Sequence, residues 1–421
     1  MNKQVIENAQ LGEKYVTAAL DCGLKIYICP KETSGSGYAV FGTKYGSIDN
    51  RFSVDGGEMI EVPEGIAHFL EHKLFESEDG DAFSKYAKTG ASANAYTSFD
   101  RTCYLFSCSE RFDENMDILL NFVQSPYFTK ETVDKEQGII SQEIRMYEDN
   151  PGWRVFFNML SGMFENHPVK IDIPGTVESI ADIDDRLLYS CYNAFYNPAN
   201  MFICVSGNVD VDKLIDKIDA AIKVKKTVQV TRGTFDEPDG VVKPFISQKL
   251  AVSMPLFTLG FKEKCERPMR TLKEHISTGI LLSMLFGATG KLYENLIEKG
   301  YINANFDYEY FTGFGYAVPL ISGESAHAEL LRDEIFAHIK QCKERGLDKE
   351  QFESVKRAKL GRSIKSFNTA EGAVSGMVDA HMEDVGLFDD LEVLENLTLA
   401  DIEERLSILD ENCAVLSVVT G

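Results

Sequence analysis

The stretches ADIDDRLLYSCYNAFYNPANMFICVSG, residues 181–207, and ADIEERLSILDENCAVLSVVTG, residues 400–421, decide how this chain is organised. Each opens on an acidic helical segment, passes through a turn, enters an apolar run and stops at a glycine, so each reads as helix, turn and buried strand. Their recurrence at the middle and the end of a 421-residue chain predicts two copies of one α+β unit. The length argues the same way, because it exceeds what one hydrophobic core supports. Between the copies, residues 223–246 hold the lysine cluster KVKK and then Gly233, Asp236, Pro238, Asp239 and Gly240, the composition of an interdomain linker. The expected division is an N-terminal domain 1–222, a linker 223–246 and a related C-terminal domain 247–421.

Upstream, residues 12–30 and 38–49 alternate apolar and polar side chains around a turn at Gly23, the pattern of antiparallel strands. A helix is expected from Pro63, with Ile66, Phe69 and Leu70 on one side and the proline in its first turn. Residues 93–108, ANAYTSFDRTCYLFSC, are rich in aromatic and β-branched side chains and predict a strand, or two strands sharing a bend near Asp100. Further helices are expected at 114–123, at 129–148 with a stop at Asn150-Pro151, at 184–195 and at 211–222, with a strand at 201–210.

Acidic residues outnumber basic ones by 66 to 43, a formal charge of -23 that repels phosphate backbones and anionic lipid surfaces. Neither nucleic acid nor membrane is therefore an expected partner. Nine cysteines is an odd number, and Cys103, Cys191, Cys204 and Cys413 lie in apolar runs where a thiol acts as a small hydrophobe. With no apolar signal segment at the start, the expected location is the cytoplasm.

Chemistry enters with GIAHFLEHKLFE, residues 65–76. His68 and His72 stand four residues apart, so on a helix they lie one above the other and can share one ion. Glu71 points to the same side, placed to take a proton from water at that ion. This H-x-x-E-H pattern is the inverzincin order, and chance would place it in a chain with seven histidines about 0.01 times. A catalytic zinc takes three protein ligands and keeps a position open. Glu143 is the leading third ligand, and Glu136, seven residues away on the same helical face, has a supporting role. The alternative without a metal has both imidazoles pairing with carboxylates at a helix surface.

These residues, together with GASANAYTSFDRTCYLFS (90–107), DKEQGIISQEIRMYEDNP (134–151), PGTVESI (174–180) and FYNPANMFICVSGNVD (195–210), resemble the insulinase/pitrilysin family of zinc metallopeptidases. The mitochondrial processing peptidases belong to that family, and the chain is similar to its bacterial single-unit members encoded as pairs. The similarity is strong over 15–215 and continues through GKLYENLIEKG (290–300) over 246–421. It implies two related α+β domains, each an antiparallel sheet with helices on one face, the LuxS/MPP-like metallohydrolase fold. It also implies one Zn2+ per chain on His68, His72 and Glu143, with Glu71 as catalytic base and Glu136 as supporting acid. Asn94 and Ala95 would lie beside a peptide substrate on an edge strand, and the chain would work as a homodimer or as a heterodimer with a related chain.

One departure stands out. Active members offer an arginine and a tyrosine to the scissile carbonyl from their second half, whereas LYENLIEKGYIN (292–303) has Ile297 and Asn303 there and Tyr301 out of register. Two functions follow: an endopeptidase for short or unfolded peptides, with a partner chain supplying the missing donors, or a non-hydrolytic zinc-binding assembly or accessory subunit. A closed structural zinc site lacks the further Cys or His at finger-like spacing that it would need.

Overall fold

The computed structural model describes residues 2–32, 35–78, 80–225 and 227–421, so Lys226 of the lysine cluster lies outside the described residues. The chain forms two units. The first comprises Met1–Ile144, Asp172–Thr234 and Ile364–Leu387; the second comprises Arg145–Ile171, Phe235–Ser363 and Phe388–Gly421.

Seven strands build the first unit's sheet, in the order Asn2–Asn8, Glu13–Ala19, Lys25–Pro30, Met201–Gly207, Gly37–Thr43, Thr102–Cys108 and Ser92–Thr97. Five build the second unit's sheet, in the order Phe245–Lys249, Ala414–Thr420, Leu256–Phe261, Tyr316–Glu324 and Asp307–Gly313. The last five positions of the first sheet match these five place for place, and the two glycine-ended runs that echo each other in sequence occupy the same position. The two units are therefore two copies of one α+β arrangement.

Neither sheet is wholly antiparallel, which corrects the expectation. Met201–Gly207 runs parallel to Lys25–Pro30, and Phe245–Lys249 runs parallel to Ala414–Thr420. A hairpin would force opposite directions, but these late strands return to the middle of the sheet after long excursions and are free of that constraint. Every residue of Met201–Gly207 is buried, which explains an apolar run where a half-covered strand would alternate.

Nor do the helices keep to one face. On one side of the first sheet, Ile26, Ile28, Phe41, Phe106, Ile203 and Val205 share a core with Phe69, Leu70, Met116, Leu119, Leu188 and Ile215 from the helices. Side chains that alternate to the other side meet the helix Ala370–Glu383, from the far end of the chain. There His381 packs on Phe202 and Tyr27, with ring centroids 4.4 and 5.4 Å away, and its Nδ1 is 2.9 Å from the Tyr27 hydroxyl. The second sheet is covered likewise by Pro151–Met163, so closely that a Cβ on Gly162 would stand 2.8 Å from Ile246 and 3.0 Å from Val415. Each unit thus includes a helix from the opposite half of the sequence, where a sequential division at 222 and 247 would not put it. A sheet apolar on both faces needs a second layer, and an amphipathic helix does not encode which sheet it will cover.

Part of the predicted linker is built into the fold. Val230–Arg232 pairs with Arg51–Val54, Arg232 reaches the buried Asp49 at 2.6 Å, and Glu237 accepts backbone N–H groups of Glu165, Asn166 and His167. The strand Asn2–Asn8 was not anticipated, because it lies at the sheet's edge, exposed along most of its length, and so lacks alternation.

A fragment ending at residue 222 lacks the helix that covers Tyr27 and Phe202. It is expected to aggregate and to bind a hydrophobic dye, and a peptide spanning 364–387 is expected to suppress both. A soluble, dye-silent monomer of 1–222 would contradict this packing account.

Candidate metal centre

The helix bearing the motif spans Ile66–Leu74, so Pro63 lies outside it. Its start is fixed by Gly65, whose φ of 86° is left-handed and whose added Cβ would stand 2.2 Å from the Pro174 carbonyl oxygen. A Cβ added to Gly175 would likewise stand 2.6 Å from the Glu64 carbonyl oxygen, to which Ser179 Oγ donates at 3.0 Å. The segment PGTVESI therefore clamps the entry to this helix, an account that its sequence alone does not provide.

The second helix, Lys130–Glu148, buries Val133, Glu136, Ile140 and Ile144 and so presents Glu136 and Glu143 on the inner side. His68 is buried; Glu71, His72 and Glu143 are half-buried. His68 Nε2 lies 3.7 Å from Glu143 Oε1, and His72 Nε2 lies 3.4 Å from Glu143 Oε2. All three ligand atoms fall within 4.8 Å of one another, the one such group among the described residues. A tetrahedral zinc with bonds of 2.0–2.1 Å sets its donors about 3.3 Å apart, so this donor set is close enough to converge on one zinc ion. His72 Nδ1 is 3.0 Å from Glu136 Oε1, which orients the ring and leaves Nε2 facing Glu143.

Electrostatics separates the two histidines. Burial, helped by the charge of His72, pushes His68 down to about 4. Burial also opposes charging of His72, but hydrogen bonds to Glu136 and Glu143 override it and hold that imidazole at about 10. Burial would raise Glu136 too, yet its bond to His72 brings it below the usual carboxylate range. Burial raises Glu71, partly offset by the Thr97 hydroxyl, which donates to Glu71 Oε2 at 2.7 Å.

Asn94 and Ala95 lie on Ser92–Thr97, the last strand of the sheet, paired on one side only. Asn94 is exposed, and its Oδ1 accepts from the Ala95 amide at 2.9 Å. Thr97 was missed at the level of sequence, although strand alternation puts it on the face of Ala93 and Ala95, which pack against the core.

The second unit repeats the arrangement without the ligands. Thr312, on the edge strand Asp307–Gly313, is 3.4 Å from His275 Nδ1 on the helix Leu272–Phe286, as Thr97 meets Glu71. Counting from that contact, Leu272 and Ile276 stand where the first unit has His68 and His72.

A protonated His72 must give up a proton to become a ligand. Zinc binding at pH 7 is therefore expected to release about one proton, read by calorimetry in buffers of different ionisation enthalpy. Glu136→Gln, which removes one charge holding that proton, should reduce the release; no release in the parent would contradict a protonated His72 in the metal-free chain.

The family described as insulinase, peptidase family M16, matches residues 50–177, and the peptidase M16 inactive domain matches residues 182–359. The chain is 41% identical to the uncharacterized zinc protease YmfH of Bacillus subtilis, over 94% of each. It superposes on the crystal structure of an M16-like protein from Alicyclobacillus acidocaldarius with a TM-score of 0.93 and 34% identity, over 99% of both chains. Pitrilysin shares the fold, with a TM-score of 0.78 at 17% identity, and the present chain spans 46% of that protein's length. With its two histidines and glutamate gathered as a zinc site demands, the chain belongs to the insulinase family of zinc metallopeptidases, peptidase family M16.

Proposed function

We propose that the chain is an endopeptidase for short or unfolded peptides, with one Zn2+ held by His68, His72 and Glu143 and with a related partner chain completing the active centre. The observation that carries this reading is that an open sheet edge meets the ligand helix, joined by the bond between Thr97 and Glu71. A peptide adding to that edge as a further strand would take over the Ala95 amide from Asn94, and its backbone would be held largely irrespective of sequence. Folded proteins seldom offer a free extended strand, which restricts substrates to short or unfolded chains.

Zinc, when bound, supplies Lewis acidity that activates water and polarises a carbonyl. Glu71 accepts the proton of the attacking water and passes it to the departing amine. Glu136 keeps His72 in the tautomer that leaves Nε2 free for the ion. The cytoplasm is the proposed location, on the acidic composition and the odd number of cysteines, several of them in apolar runs.

The need for a partner rests on the second half. Ile297 is exposed, Asn303 is engaged with Glu324, and Tyr301 packs beside His327 with ring centroids 5.4 Å apart. Each absent donor to a developing oxyanion forgoes about 3 kcal/mol. The same positions favour the second reading, an accessory or assembly subunit that holds zinc without hydrolysis. A base set beside the ligand pair weighs against it.

Glu71→Gln is expected to keep its zinc and to lose about 10²- to 10⁴-fold in turnover of a quenched peptide library. Equal rates in parent and variant would remove Glu71 from the mechanism. Mixing the chain with related chains that lack H-x-x-E-H is expected to raise hydrolysis and to produce a larger species in gel filtration. If no such chain raises the rate, the partner requirement fails.

A further inference from the structure

We infer that Thr97 is a positioning residue, which couples occupancy of the sheet edge to the orientation of Glu71. Thr97 ends the edge strand, and its hydroxyl is the one side-chain hydrogen-bond donor to Glu71 among the described residues. Behind it, Thr97 Oγ1 lies 3.4 Å from Thr102 Oγ1, and the fully buried Thr102 donates its own hydrogen to the Tyr45 carbonyl at 2.9 Å. Tyr45 is itself fully buried and stacked on Phe195, with centroids 4.0 Å apart. Thr102 therefore has no hydrogen to offer Thr97, and the single hydroxyl hydrogen of Thr97 is directed to Glu71 Oε2, with the Thr97 backbone N–H as a weaker donor to the same carboxylate. The hydroxyl bond holds one carboxylate oxygen.

The coupling follows from stiffness. The Thr97 oxygen stands one carbon from the backbone in a staggered rotamer, so its position follows the strand. Among the described residues, Ser92–Thr97 is hydrogen-bonded as a strand on one side only, to Thr102–Cys108, and forms the edge of its sheet. A peptide pairing along that edge adds the missing hydrogen bonds and restrains the strand, and Thr97 transmits the restraint to Glu71. Peptides long enough to pair along Asn94–Thr97 should therefore turn over faster at saturation as well as bind better. This inference rests on the proposed peptidase reading.

The test compares Thr97→Val, which keeps the branched shape and removes the donor, with Thr97→Ser, which keeps the donor. Both are made in the full zinc-loaded chain, with any partner it requires. Thr97→Val is expected to lower kcat about 10- to 100-fold with KM within about threefold, as misplacing a reacting group by a fraction of an ångström does. Its zinc content and thermal midpoint should match the parent, and Thr97→Ser should stay within about threefold of it. A parental kcat in Thr97→Val, or a Thr97→Ser as slow as Thr97→Val, overturns the proposal. Crystal structures of parent and Thr97→Val give a readout independent of turnover, and an unmoved Glu71 carboxylate overturns it equally. Should Glu71→Gln be as active as the parent, the base assignment has failed; should it be inactive while Thr97→Val is not, only the role of Thr97 has.

Discussion

Everything at the candidate centre depends on holding His72 between two carboxylates of one helix. Glu136 takes its Nδ1 at 3.0 Å and Glu143 faces its Nε2 at 3.4 Å, while Glu71 adds a third acid close by. Taking such groups out of water is costly unless each finds a counter-charge. One imidazolium among three acids offsets part of that cost, and a divalent cation offsets more. The pairing with Glu136 also fixes which nitrogen is left for a metal, so the contact that lowers the cost of burial is the one that prepares the ligand.

The duplication bears on why a single such ligand group occurs among the described residues. Both units bring a helix against an edge strand and join them through a threonine, at Thr97 and at Thr312. In the second unit, however, Leu272 and Ile276 replace the imidazoles, and Ile276 is buried in that unit's core. The scaffold persists where the chemistry has been exchanged for apolar packing. Each sheet is closed by a helix from the other half of the sequence, so the unit that carries the His-His-Glu cluster is complete only once Ile364–Leu387 has been made. Its folding is therefore tied to the whole chain.

Much of this was readable from local pattern. Residues that act within one helix or one strand carry their geometry in their spacing: His68, Glu71 and His72 on one helical face, Glu136 and Glu143 seven apart on another, and Ser92–Thr97 and Thr102–Cys108 as two strands about a bend. The echo between 181–207 and 400–421 likewise identified the duplicated unit, because a strand buried on both faces is largely apolar, broken here only by small polar residues such as Ser206 and Ser417. Tertiary structure alone decided the rest. The parallel direction of Met201–Gly207, the exchange of Pro151–Met163 and Ala370–Glu383, the clamp of Gly175 on Gly65, and the hydroxyl of Thr97 on Glu71 all join segments distant in sequence or set one element against another. Periodicity records which side of an element is apolar and which side chains share a face, but it holds nothing about what that face will meet.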